Sequence, residues 1–255
     1  MLDSAAISGD TNVVTYPGGK SGSGVYQRII SLMPKHKVYI EPFLGGGSVM
    51  RLKLSAELNI GVDMDGLVIE EWRSAAAIRN GDPGSAEHEM GASPRFWWHS
   101  GDGIAFLEGY PFTGEELVYC DPPYVRSTCT TRCRYRFDLS DVDHRRLLRR
   151  IRTIPCPVIL SGYWSQLYAD ELVGWHSLTF KGMTRRGPRT EWLWYNFPAP
   201  SELHDPRYLG ANRREREYLK KQMLRWTKRI QAMPPLKRQV LASAIARVAE
   251  SEGVS

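Results

Sequence analysis

Val38-Tyr39-Ile40-Glu41-Pro42-Phe43-Leu44-Gly45-Gly46-Gly47-Ser48 reads in order as strand, break, turn and helix start. Val38 to Ile40 are β-branched or aromatic, the composition of a short buried strand. Pro42 ends it, because its ring fixes φ and removes the N–H that a sheet ladder needs. The glycines then bare the backbone in front of a helix expected from Ser48 to about Leu58. A second strand, Ile60-Gly61-Val62, follows and ends in an acid, Asp63. Strand, helix and strand in succession form the repeating unit of a parallel sheet.

The pattern continues along the chain. Leu67 to Asn80 reads as a helix, and the Gly-, Pro- and Ser-rich stretch from Gly81 to Ser93 as a loop. Phe96-Trp97-Trp98 leads into Gly101-Asp102, and Leu117-Val118-Tyr119-Cys120 is an apolar strand. Asp141 to Arg152 is helical, Pro157-Val158-Ile159-Leu160 a buried strand, and Trp164 to Leu172 a helix. Ser177 to Lys181 and Glu191 to Phe197 close the series as two strands joined by a basic turn, Met183 to Arg189. The expected fold is α/β, a mostly parallel sheet with helices on both faces and an antiparallel edge from the final hairpin.

Ligands of such sheets sit beyond the carboxyl ends of the strands. The Gly45-Gly46-Gly47 turn falls there, and Asp63 stands where it can accept hydrogen bonds from ribose hydroxyls. The glycine spacing matches neither the dinucleotide fingerprint nor the phosphate loop. That favours a nucleoside without a pyrophosphate over a nicotinamide cofactor or ATP.

Asp121-Pro122-Pro123-Tyr124 stands at the tip of the apolar strand. An aromatic amine is a poor nucleophile until acceptors draw on its two hydrogens. Asp121 and the carbonyl of Pro122 supply two acceptors on a stiff loop, and Tyr124 supplies a face for a planar base. A base in a duplex reaches such a pocket only when extruded, at a few kcal/mol. Stacking, roughly 1–3 kcal/mol per base, offsets part of this. The plainer alternative is a strand-to-loop exit, since Asp-Pro and Pro-Pro are common turn chemistry.

The 255 residues suffice for one domain of about 200 residues and an appendage. No apolar stretch approaches the roughly 18 residues of a membrane span. Met1 to Val14 lacks the pattern of a secretory signal, and four cysteines, Cys120, Cys129, Cys133 and Cys156, suggest a reducing, cytoplasmic setting. Cys129 and Cys133 with His144 lack a fourth ligand for zinc, so no metal is expected. Charge is uneven: the net is −7 over residues 1–125, +6 over 126–152, near neutral over 153–200 and +6 over 201–255. The first basic block directly follows the Asp121 loop, and a polyanion is the simplest partner. Arg126, Arg132, Arg134 and Arg136 read as phosphate contacts, whereas Arg145 to Arg152 also suit a solvated helix face.

Tyr16-Pro17-Gly18-Gly19-Lys20, Glu41-Pro42-Phe43-Leu44-Gly45-Gly46-Gly47-Ser48 and Asp121-Pro122-Pro123-Tyr124, in that order, resemble the Dam-like, alpha-group DNA adenine methyltransferases. The match extends to Asp102 after Gly101, to His144, to Leu160-Ser161-Gly162-Tyr163 and to Thr190-Glu191-Trp192-Leu193-Trp194, and it covers roughly Val14 to Phe197. It implies a Rossmann-like methyltransferase fold with a seven-stranded sheet, S-adenosylmethionine as cofactor, no metal, and methyl transfer to the N6 amine of adenine in DNA. By position, Tyr16, Gly19 and Lys20 would lie beside the cofactor and target pocket, and Glu41, Pro42, Phe43, Leu44, Gly45 and Gly46 would hold the methionine end. Asp63 would take the ribose, Asp102 the cofactor adenine, and Asp121, Pro122, Pro123 and Tyr124 the flipped base, with Asp121 also near the cofactor. Local alternatives are a solvated loop lysine for Lys20, a helix cap for Asp102 and a turn residue for Asp63.

The resemblance divides the chain into a catalytic domain, 14–200, and a basic helical extension, 201–255. Within the first, 65–98 takes the place of a reduced target-recognition insertion, so the chain reads a short site or almost none, or delegates DNA reading to Arg126, Arg132, Arg134 and Arg136, to the turn with Arg185, Arg186 and Arg189, and to the basic tail. The extension reads as a helix from Asn212 to Gln231, with Tyr218, Leu219, Met223, Trp226 and Ile230 along one side, and a second from Lys237 to Ala249 after Pro234-Pro235. It either packs its apolar stripe on protein or contacts DNA. The expected partner is DNA rather than a membrane, and the expected state a monomer or weak homodimer. RNA adenine, the N4 amine of cytosine, or a catalytically silent DNA-binding homologue remain alternatives.

Overall fold

The computed structural model describes residues 24–80, 93–125, 137–184 and 187–252. Its contacts divide the chain into two units, Met1–Pro206 and Arg207–Ser255. Seven strands of the first unit form one sheet: β1 (Val38–Glu41), β2 (Leu58–Asp63), β3 (Arg95–Ser100), β4 (Glu116–Cys120), β5 (Val158–Gly162), β6 (His176–Thr184) and β7 (Gly187–Tyr195). They lie in the order β3-β2-β1-β4-β5-β7-β6. From β3 to β5 all neighbours are parallel, while β7 runs antiparallel to β5 and β6. The fold is the expected Rossmann-like α/β architecture, and the closing hairpin forms one edge. Every residue of β4 and β5 is buried, as apolar runs such as Leu117 to Cys120 and Val158 to Leu160 require in a sheet covered on both faces.

The helices of this unit are α1 (Val25–Ile30), α2 (Ser48–Leu52), α3 (Gly66–Asn80), α4 (Gly103–Gly109), α5 (Asp141–Ile151) and α6 (Gln166–Glu171). α5 buries Leu147, Leu148 and Ile151 and starts in a reciprocal cap, Ser140 with Asp143. These apolar side chains join Ile40, Val62, Ile104, Val118 and Leu160 in the core.

Several expectations change. The helix expected over Ser48 to Leu58 stops at Leu52, because Lys53 turns extended (ψ 161°) and buries its ammonium against Asn59. Within the span 65–98, α3 and β3 belong to the framework of the sheet, with β3 paired to β2 along its whole length, while residues 81–92 lie outside the described residues. The closing strands are longer than expected, so Arg189 lies in β7, opposite Gly182, and not in a turn. α1 and α4 are additions to the expected elements.

The first unit continues past residue 200. Leu203 bridges Pro34, His204 N–H donates to the Met33 carbonyl at 3.0 Å, and Asp205, fully buried, accepts from the Leu54 N–H at 3.0 Å. Lys35 pairs with Glu202 at 2.6 Å, and the His36 and His204 rings stack at 3.8 Å. This strap fastens the loops before β1 and before β2.

The second unit holds α7 (Arg213–Gln231) and α8 (Pro235–Glu252). Asn212 caps α7 by accepting from the Glu215 N–H at 3.0 Å. Among the described residues no helix is long and apolar enough to cross a membrane.

Candidate active site

The sheet order sets the site. β1 has β2 on one side and β4 on the other, so the chain leaves β1 toward β2 and later crosses back to enter beyond it. Loops at such a switch point diverge and open a crevice at the carboxyl ends of the strands. The loops starting at Pro42 and Asp121 leave the sheet side by side there.

The first loop is tied down by its neighbours. Leu44 N–H donates to the Val62 carbonyl at 2.9 Å, and Gly45 N–H to Asp63 Oδ2 at 2.7 Å. Asp63 Oδ1 accepts the Asp65 N–H at 2.8 Å, and the Trp72 indole N–H reaches the Gly45 carbonyl at 3.1 Å. Burial raises the Asp63 pKa, and the two amide hydrogen bonds oppose that rise. Gly47 has φ +54°, and a Cβ there would lie 2.2 Å from the Trp72 ring. A Cβ on Gly45 would meet nothing within 4 Å among the described residues.

The Asp121 carboxylate is aimed by the neighbouring strand. Ser161 Oγ donates to Asp121 Oδ1 at 2.7 Å, and Tyr119 Oη lies 3.1 Å from Ser161 Oγ. A hydroxyl has one proton, so Ser161 spends its own on the carboxylate and accepts from Tyr119. The relay Tyr119 to Ser161 to Asp121 is buried at its first two members. Beneath it Glu41 accepts from the Tyr39 hydroxyl at 2.9 Å. Burial pushes the Glu41 pKa up to about 8; the Asp121 carboxylate adds to this, and the Tyr39 hydroxyl opposes it. Lys53 donates to Asn59 Oδ1 at 2.8 Å and lies 4.0 Å from the Tyr39 ring centre. Its pKa is lowered by burial against the pull of Glu41 and Asp205.

Tyr124 is held by a second stack. Its ring lies on Tyr163 with centroids 4.1 Å apart and planes 23° from parallel, and its hydroxyl stands 3.5 Å from Glu191 Oε1. The Arg189 guanidinium covers Tyr163 at 4.0 Å. Arg189, expected to contact DNA, is therefore stacked within the site. Its place in β7 puts it over the ring that backs Tyr124.

Asp102 stands just after β3. One of its oxygens caps α4 through the Ile104 N–H at 2.8 Å, and the other pairs with Arg146 at 2.9 Å. Both oxygens that would meet a cofactor adenine thus already have protein partners. Arg146 also pairs with Glu108, and these carboxylates raise its pKa. His144 is buried, with Nδ1 3.1 Å from the Tyr168 hydroxyl, and burial lowers its pKa to about 4. Among the described residues no group of three or more His, Cys, Asp or Glu is placed to hold a metal ion. Tyr16, Gly19, Lys20, Arg126, Cys129, Arg132, Cys133, Arg134, Arg136, Arg185 and Arg186 lie outside the described residues.

The structure thus brings Glu41, the Pro42 to Gly46 loop, Asp63, Asp121 and Tyr124 to one end of the sheet. It adds Trp72, Ser161 and Tyr163, which were not expected as site residues. Ser161 and Tyr163 carried a signal, since they end a buried strand that pairs with the strand before Asp121. Trp72 carried none beyond an apolar helix position.

No protein-family model and no curated protein matches this sequence. Among solved structures the chain is similar to an rRNA methylase from Streptococcus thermophilus, at 4% identity over 67% of this chain and 93% of that one, with a TM-score of 0.44. It is also similar to a precorrin 8W decarboxylase from Methanobacterium thermoautotrophicum, at 13% identity over 68% and 89% of the two chains, TM-score 0.41. A third is the tRNA (uracil-54, C5)-methyltransferase of Pyrococcus abyssi, in complex with S-adenosyl-L-homocysteine, at 14% identity over 67% and 36%, TM-score 0.40. The fold assignment stands on the strand order alone.

Proposed function

We propose that the chain transfers a methyl group from S-adenosylmethionine to the exocyclic N6 amine of an adenine flipped out of DNA. One juxtaposition carries the reading: a glycine loop tied to Asp63 and an Asp-Pro-Pro-Tyr turn oriented by Ser161 share one switch-point crevice.

The residues fit the cofactor. Among the described residues nothing fills the space beside Gly45, and each Asp63 oxygen accepts one amide and keeps a lone-pair site for a ribose hydroxyl. Bound S-adenosylmethionine supplies a methyl group already activated by its sulfonium. The protein is left to align the amine and exclude water, and alignment is worth up to about 7–11 kcal/mol. Asp121 accepts one amine hydrogen and the Pro122 carbonyl the other, which frees the nitrogen lone pair for in-line attack. As the methyl group passes to the nitrogen and the C–S electron pair stays with the cofactor, Asp121 would take the one proton that the nitrogen sheds and pass it to solvent. Tyr124 stacks on the extruded base and is itself backed by Tyr163.

The test is expression in a host lacking adenine methylation, with modified bases mapped in its DNA and RNA. The expected result is N6-methyladenine in DNA that disappears with Asp121→Ala. Folded, cofactor-bound protein that leaves DNA unmodified overturns the proposal, and N4-methylcytosine or methylated RNA adenine reassigns the substrate.

A further inference from the structure

The division into two units separates the charge of the chain. Met1–Pro206 has 22 Lys and Arg against 24 Asp and Glu, a net of −2, while Arg207–Ser255 has 12 against 4, a net of +8. The whole positive excess sits on the second unit. The first unit also spends cations internally: on α5 and at its C-cap, Arg146 pairs with Asp102 and Glu108, and Arg145 and Arg152 pair with Glu171.

α7 is different. It carries eight Lys or Arg and two Glu in 19 residues. Among the described residues, no Lys or Arg of α7 pairs with a carboxylate. At about 100° per residue, Arg213, Arg214, Lys220, Lys221, Arg225 and Lys228 fall within an arc of roughly 140°, with Glu217 the single acid among them. Leu219, Met223, Trp226 and Ile230 fall within about 60° on the opposite side. A helix of this length spans about 28 Å, enough to pass several phosphates. Like charge along one face costs stability unless a polyanion neutralises it.

We infer that α7 lays this cationic face along the phosphate backbone of duplex DNA. The inference rests on the proposed function only for the choice of DNA as the nucleic acid. The contact is independent of sequence and draws on release of counterions, so it holds the substrate while the crevice selects a base.

The experiment uses the full chain with Lys220, Lys221, Arg225 and Lys228 all changed to Gln, which keeps helix propensity. Circular dichroism checks the helix. Binding to fluorescent DNA and RNA duplexes is measured from about 50 to 300 mM KCl, a range over which counterion release dominates. Each lost phosphate contact removes about 0.9 from the slope of log K against log salt, so the expected flattening on DNA is about 3–4, with binding at least about tenfold weaker at 100 mM salt. Changing Lys220, Lys221 and Lys228 to Arg keeps the charge and is expected to keep the slope. An unchanged slope in the Gln variant overturns the inference, as does a lost slope in the Arg variant or a flattening on RNA alone. A change of sedimenting mass with the slope intact also overturns it. Methyl mapping runs separately: unmethylated DNA with a flattened slope sinks the enzymatic reading and keeps the helix contact, and methylated DNA with an unchanged slope does the reverse.

Discussion

Tyr163 shows how the Asp121 loop depends on a residue from beyond the end of a neighbouring strand. It holds one face of Tyr124, and Arg189 holds the other face of Tyr163. An aromatic pair of this kind is worth about 0.5–1.5 kcal/mol beyond its buried area. If that energy orients Tyr124 for the base, Tyr163→Ala lowers kcat up to about tenfold in a labelled-methyl transfer assay, while Tyr163→Phe keeps the rate. An unaffected Ala variant denies the stack a positioning role. Glu41 allows a second test. Its folded pKa of about 8 exceeds the value of 4.5 it would have unfolded. The folded state therefore binds the extra proton between those limits, and stability from this group falls as pH rises through them. Lys53, shifted down to about 7, acts oppositely above that pH and interacts with Glu41, so the comparison runs from about pH 5 to 7, where the opposing titration of His144, lowered by burial to about 4, is common to parent and variant. Glu41→Gln is expected to gain melting temperature relative to the parent across that window, and a constant difference contradicts the assignment. At this scale the sequence was partly legible. The placement of Asp63, Asp121 and Tyr124 at one end of the sheet was legible, because each follows directly on an apolar strand run. The stacking of Arg189 on Tyr163 was not legible, because in sequence an arginine near a turn looks the same whether or not a tyrosine ring lies beneath it.

At the scale of elements, close approach replaces side-chain contact. α4 packs so tightly on the first loop that a Cβ on Gly103 would lie 2.0 Å from the Pro42 carbonyl oxygen, whereas a Cβ on Gly109 would meet nothing within 4 Å. Both partners at Gly103 are backbone, and neither can swing away. Gly103→Ala is thus expected to cost about 1–3 kcal/mol and lower Tm by several degrees. Gly109→Ala, at the other end of the same helix, is expected to be neutral or mildly stabilising. Equal losses in thermal melts of the two variants contradict the close-packing account. The same packing explains why α4 was not expected: seven residues with a glycine at each end cannot hold a helix alone. The Asp102 cap and the burial of Ile104 and Leu107 hold it. The central strands were legible because burial on both faces demands unbroken apolar runs. The hairpin lengths were not, because the ends of β6 and β7 carry the polar and basic residues of a loop.

At the scale of the molecule, alternation of strands and helices foretold a parallel sheet, while the place of β4 on the far side of β1 is set by a crossover that leaves no local mark. The place of β3 beside β2 was not marked either: it is the open edge of the sheet and exposes Phe96 and Trp97. The strap over 202–205 has a consequence for how the chain is made. Its partners, Met33 to Lys35 and Leu54, are synthesised about 150 or more residues earlier. β7 must likewise insert between β5 and a β6 that precedes it. A nascent chain carrying β1 to β5 has the floor of the crevice but cannot close it, and the buried Asp205 reaches Leu54 only after the ribosome has released it. The body is thus expected to complete its fold late in translation, while the cationic second unit is still being delivered.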